Sequence, residues 1–187
     1  SPPAAATVVV GFTDGFAPGN WSTLESTGSP LAGGAPAGAT NDGTTLTLTG
    51  GNAGGISSCP DWQTAPCVLK YTISIPGAGA TIQFHWSYTT VDYDASFDRF
   101  GVIANGALTQ LTDDLGATTQ SGDETVTVSG GSSFGWYIDC LDCTWGNAVA
   151  SITDFSDPPV GAAPEPATLV LLGLGLAGLG FSRRKRA

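Results

Sequence analysis

Apolar and polar residues alternate with a period of two through most of this chain. Over 67–75, Cys67, Leu69, Tyr71, Ile73 and Ile75 face one way, and Val68, Lys70, Thr72 and Ser74 the other. Over 81–89 the apolar face is Ile82, Phe84, Trp86 and Tyr88, opposite Thr81, Gln83, His85 and Ser87. Phe134, Trp136, Ile138 and Cys140 repeat the pattern, as do Leu46/Leu48 and Val126/Val128. Such alternation predicts half-buried strands, because successive side chains point to opposite faces of a sheet. Further strands are predicted at 7–13, 97–104, 107–112 and 146–155. Asn105-Gly106 lies between two such runs and predicts a type I′ hairpin, in which both turn residues take positive φ. No long stretch before the tail carries a 3.6-residue period. Eight to ten short strands broken by Gly, Pro and Asp turns predict an all-β fold, a two-sheet antiparallel β-sandwich or jelly roll.

The strand-forming region is expected to fill residues 1–155. Within it, 26–43 (STGSPLAGGAPAGATNDG) has almost no apolar anchor and reads as a flexible Gly/Ala/Pro-rich loop. Residues 156–166 read as a linker stiffened by prolines, and 167–187 as an apolar helix followed by a basic cluster. Ser1-Pro2-Pro3 follows no visible signal-peptide pattern, and the cysteines and composition imply export, so Ser1 is expected to be the mature N-terminus after signal removal.

Charge removes one class of partner. The chain of 187 residues has six bases against sixteen acids, a net of −10, and four of the bases are Arg183, Arg184, Lys185 and Arg186. Without residues 164–187, two bases (Lys70, Arg99) stand against fifteen acids, a net of −13. Such a field repels nucleic acid and anionic lipid surfaces. The four cysteines form two close pairs in sequence, Cys59/Cys67 and Cys140/Cys143. An even count at short spacing reads as a disulfide framework in an oxidising compartment. Three connectivities are open, with local pairs favoured because short loops close most easily. A redox reading of Cys140-Leu141-Asp142-Cys143 is disfavoured, since Asp139 and Asp142 would raise the thiol pKa. A zinc reading is disfavoured because the other pair is too widely spaced for a knuckle.

The tail has three parts in order. Pro164-Glu165-Pro166 leads into ATLVLLGLGLAGLGF (167–181), followed by Arg183, Arg184, Lys185 and Arg186. As a helix the apolar run spans about 22 Å, short of a hydrocarbon core of roughly 30 Å. Gly173 and Ala177 stand in small-xxx-small register, which lets helices pack closely in lipid or with copies of themselves. The basic cluster acts as a cytoplasmic stop, placing the β domain outside.

This order resembles the PEP-CTERM sorting signal of exported bacterial proteins, over residues 164–187. The resemblance implies a Gram-negative-type exporter, recognition by exosortase-type machinery, membrane anchoring through the helix, and cleavage near Pro164-Glu165-Pro166. It also implies a cell-surface or matrix location alongside exopolysaccharide. The body resembles a β-sandwich recurrent among PEP-CTERM proteins, broadly CUB-like, in 84–114, 120–143 and 150–155. That likeness carries architecture and no activity.

Three kinds of chemistry are weighed. Asp92, Asp94 and Asp98 follow one strand, and Asp139 and Asp142 another. Oxygen ligands on sandwich loops suit Ca²⁺, and some CUB-like domains hold calcium between such loops. The counter-reading is that turn aspartates ordinarily cap the backbone, and no cofactor is required. Trp21, Trp62 and Trp145 sit in turn-like contexts where indoles stack on sugar rings or plug sheet ends. A carbohydrate-binding module for exopolysaccharide is therefore the alternative function. Catalysis is not expected: His85 lies on a polar strand face without an evident orienting acid, and no glutamate sits on an apolar strand. The reading is an exported, non-enzymatic surface or matrix structural protein, with self-assembly into filaments through its tail.

Overall fold

The computed structural model describes residues 9–24, 37–51, 68–140 and 146–157. Among them are eleven strands: β1 (Val9–Val10), β2 (Ser22–Leu24), β3 (Gly38–Asn41), β4 (Leu46–Thr49), β5 (Val68–Ser74) and β6 (Gly79–Thr90). The remainder are β7 (Asp98–Ala104), β8 (Ala107–Gln110), β9 (Thr119–Ser129), β10 (Ser133–Cys140) and β11 (Ala148–Asp157). They form two sheets. One runs β3-β4-β11-β6-β9, with β1 paired to the end of β11; the other runs β2-β5-β10-β7-β8. Every described pairing is antiparallel. The blocks β4-β11-β6-β9 and β5-β10-β7-β8 have the strand order of a jelly roll, as the alternation predicts.

The period-two faces meet between the sheets. Leu46, Leu48, Ile82, Phe84, Trp86, Tyr88, Ala150 and Ile152 from the first pack toward Leu69, Tyr71, Phe100, Val102, Phe134, Trp136 and Ile138 from the second. Burying each large side chain stabilises by about 1.5–3 kcal/mol. One end of this core is an aromatic cluster. Phe12 stacks on Phe155 with ring centroids 4.6 Å apart, and Trp21 stacks on Tyr71 at 5.0 Å and on Trp136 at 5.5 Å.

Three expectations are corrected and one is met. Gly38–Asn41, inside the expected loop 26–43, is β3, paired with β4 through Ala39↔Leu48. Its Gly-Ala-Thr-Asn sequence carries no alternation because it is a partly exposed edge strand. The predicted 7–13 strand has only Val9–Val10 within the described residues, stopped at Gly11 with φ +75°. A Cβ there would come within 2.9 Å of the Gly43 carbonyl oxygen, so glycine permits that crossing. β11 continues through Ser156 and Asp157 into the expected linker, held by Val9 and Val10 of β1. The Asn105-Gly106 hairpin is as predicted, with φ +52° and +79°.

Candidate binding surfaces

The aspartates of the β6–β7 turn are structural. Thr90 Oγ1 donates to Asp98 Oδ2 at 2.7 Å and accepts from the Asp92 N–H at 3.0 Å. The Tyr88 hydroxyl donates to the Asp98 carbonyl at 2.6 Å. Asp92 Oδ1 accepts from the Tyr93 N–H, and Asp94 Oδ1 from both the N–H and the hydroxyl of Ser96. Burial, and then the Asp98 charge, hold the Tyr88 hydroxyl well above the usual phenol range. Asp98 lies on the core side of β7, in register with Cys140, whereas Asp139 alternates to the opposite face of the same sheet. Of the expected calcium set, Asp98 and Asp139 thus stand on opposite faces of one sheet, and Asp142 lies outside the described residues. Among the described residues no group of three or more His, Cys, Asp or Glu is placed to hold a metal ion. The network braces the turn so that Val91 and Tyr93 project outward, Tyr93 with 88% of its surface exposed.

The outer face of the five-stranded sheet carries a second cluster. Val68, Ile103 and Tyr137 are buried together with Leu108 against them. Arg99 forks onto Asp114, with Nε 3.0 Å from Oδ1 and the terminal nitrogen 2.7 Å from Oδ2. Gln110 Nε2 donates to the same carboxylate and to the Thr112 carbonyl. The Arg99 hydrogen bond holds the Asp114 carboxyl below the usual carboxylate range. Burial, reinforced by the Asp139 charge, pushes the Tyr137 hydroxyl up to about 12. Arg99, Gln110 and Tyr137 had no local motif to mark them; only strand pairing brings them to one face.

The six-stranded sheet turns a hydroxyl-rich face outward. On it, His85 Nδ1 lies 2.7 Å from Asp123 Oδ1, directly across the β6–β9 ladder. The orienting acid missing from the sequence reading is thus present, from a strand distant in sequence. Among the described residues no hydroxyl or thiol hydrogen-bonds the other ring nitrogen.

Trp21 is removed from the sugar-facing candidates. It is buried, 9% exposed, and its Nε1–H donates to the Phe16 carbonyl at 2.8 Å. The two 3₁₀ turns at Asp14–Phe16 and Pro18–Asn20 fold it back into the core. Trp62 and Trp145 lie outside the described residues, as do Cys59, Cys67 and Cys143. Cys140 ends β10 buried and is disulfide-bonded. Pro164, Glu165, Pro166, Gly173, Ala177 and Arg183, Arg184, Lys185 and Arg186 also lie outside the described residues. Among the described residues no helix is long and apolar enough to cross a membrane.

Fold and tail together define an exported jelly-roll protein with a sorting signal. A family model described as the PEP-CTERM protein-sorting motif matches residues 162–185. The motif marks a protein exported and processed at the cell surface by exosortase-type machinery. No curated protein matches the chain. Among solved structures, the K1 cleaved adhesin domain of Lys-gingipain from Porphyromonas gingivalis W83 is similar at 13% identity and a TM-score of 0.40. That match covers 83% of this chain and 100% of that one. The N-terminal cellulose-binding domain of Cellulomonas fimi β-1,4-glucanase C is similar at 14% identity and a TM-score of 0.30, covering 77% and 91%. At those TM-scores neither likeness says what this chain binds.

Proposed function

We propose that this is a non-catalytic structural protein of the cell surface or extracellular matrix, displayed by its sorting tail and assembled into filaments through it. The observation that carries the reading is the sorting motif at 162–185, beginning a few residues after the last strand of the sandwich. A jelly roll tied by a disulfide at Cys140 suits an oxidising exterior. Its acidity favours solubility, while the uncharged run 167–181, with Gly173 and Ala177, supplies an apolar face for lipid or for other tails. The test is intact-mass analysis and electron microscopy of extracellular material from a host with exosortase and from one lacking it. Filaments containing residues 167–187 support assembly through the tail. Dispersed particles ending near Pro164 support sorting and overturn the filament. Chain that stays inside both hosts overturns the reading altogether.

A second reading, a module that binds exopolysaccharide, is favoured by Tyr93. An exposed ring held on a braced turn beside the Asp94 carboxylate offers a stacking plane and a hydroxyl acceptor. Affinity electrophoresis against neutral polysaccharides, comparing the parent with Tyr93→Ala, tests it. Equal mobility with and without polysaccharide ends it.

A further inference from the structure

Among the described residues β9 is the outermost strand of its sheet, and it pairs with β6 over eleven consecutive positions without a bulge. Edges of that length are ordinarily blunted by proline, a bulge or charged side chains, lysine above all; β9 (TQSGDETVTVS) has no proline, lysine or bulge, and its two charges are the carboxylates of Asp123 and Glu124. Its hydrogen bonds show which backbone groups are free. Asn105 Nδ2 donates to the Thr127 carbonyl at 3.2 Å, and Asn105 Oδ1 accepts from the Ser129 N–H at 2.9 Å. The Thr118 carbonyl, one residue before β9, instead accepts from the Thr90 N–H at the end of β6. Backbone groups alternate sides along a strand, so the even-numbered residues of β9 serve β6 and the odd-numbered ones point outward. Asn105 occupies the edge at Thr127 and Ser129. Among the described residues nothing takes the outward N–H and C=O groups of Thr119, Ser121, Asp123 and Thr125.

This open window, Thr119 to Thr125, is complementary to itself when reversed about Gly122. Beside an antiparallel copy in that register, Thr119 faces Thr125, Ser121 faces Asp123, Gln120 faces Glu124, and Gly122 faces Gly122. All four outward-pointing residues then fall in hydrogen-bonded pairs. Each carboxylate meets a neutral polar residue, and the Asp123 oxygen not bound by His85 remains for the Ser121 hydroxyl. Neighbouring registers fail. Two residues' slip one way sets Asp123 against Asp123, and a further slip sets Glu124 against Glu124, which is repulsive. A slip the other way pairs Thr125 with position 117, outside the strand.

We propose that two copies of this chain associate through antiparallel pairing of their β9 edges about Gly122, joining the two six-stranded sheets into one. The contact is isologous and closes as a dimer. It does not depend on the tail.

The test uses the full chain in detergent, which occupies the apolar tail. Sedimentation velocity compares the parent with Ser121→Pro, which removes an outward donor and no bond to β6, and with Ser121→Asp, which sets a second carboxylate opposite Asp123. The parent is expected to be a dimer, and each variant to raise its Kd by about tenfold or more, since symmetry doubles the loss. Thr127→Asp, on the same strand outside the window, is expected to leave it unchanged. Amide exchange in the unmodified chain decides independently of any variant: Ser121 and Asp123 are expected to gain protection as concentration rises. A parent that stays monomeric overturns the proposal. So does a dimer that survives both Ser121 variants, or one in which those two amides exchange freely.

Discussion

The ring of Tyr137 lies over Gly101, its direct cross-strand partner on β7. A Cβ built at Gly101 would come within 2.5 Å of that ring, and the Thr109 backbone closes the other side. Glycine is therefore required by space and not by φ. Gly101→Ala is expected to destabilise the fold by about 1–3 kcal/mol, as overpacking does in cores. Urea unfolding of the variant beside the parent checks this.

Trp21 is expected to behave as a core residue. Its indole contacts Phe12, Tyr71, Phe134, Trp136 and Phe155, and its N–H is the hydrogen-bond partner of the Phe16 carbonyl. Trp21→Ala is expected to cost about 3–5 kcal/mol, with Trp21→Phe costing less. A sugar-contact residue would show the reverse, unchanged stability and lost binding. Chemical denaturation beside polysaccharide affinity separates the two.

Asp157 carries a penalty. Its Oδ1 is buried and has no hydrogen-bond partner among the described residues, and desolvation raises its pKa against a weaker pull from a Thr81 backbone hydrogen bond. A carboxyl whose folded pKa is raised weakens the fold as pH rises through that value, and the penalty is absent below the unfolded value of 3.8. Asp157→Asn is thus expected to raise Tm at neutral pH by about 2–4 °C, for a gain on the order of 1 kcal/mol. The advantage should vanish below about pH 4, which calorimetry across pH will show.

Asp114 has the opposite sign. Its pKa is lowered, first by the Arg99 hydrogen bond, so its contribution is present above the unfolded value of 3.8 and is lost as pH falls through the folded value. With a third of the Asp114 side chain open to solvent, the expected contribution is about 1 kcal/mol or less. Asp114→Asn should lower Tm at pH 7 and match the parent in acid. Thermal melts from pH 7 to pH 2 check it.

The alternating strands were legible because their two faces differ in chemistry. Leu69, Tyr71 and Ile73 against Lys70, Thr72 and Ser74 could be read in one pass, and so could the Asn105-Gly106 turn. β2 and β3 were not, since Ser22–Leu24 and Gly38–Asn41 are short edge strands specified by their partners β5 and β4. Most of β9 escaped for a related reason: only Val126 and Val128 of its inward face are apolar. The sites were harder still. Asp123 beside His85, and Arg99 beside Asp114, are pairs made by strand register and loop return. The turn aspartates were visible as a cluster, but a cluster in sequence does not reveal that β7 and β10 send Asp98 and Asp139 to opposite faces.

The position of β11 governs when the sandwich can close. β4, β6 and β1 all pair with it, and Phe155 on it stacks against Phe12 near the other end of the described chain. In a chain emerging from an exporter N-terminus first, β4 and β6 stand as open edges until residues 148–157 have crossed. The final strand arrives directly ahead of the sorting motif. Completion of the fold and presentation of the cleavage signal therefore fall at nearly the same moment, and a chain stalled before β11 would reach the outside with the seam of its larger sheet unsewn.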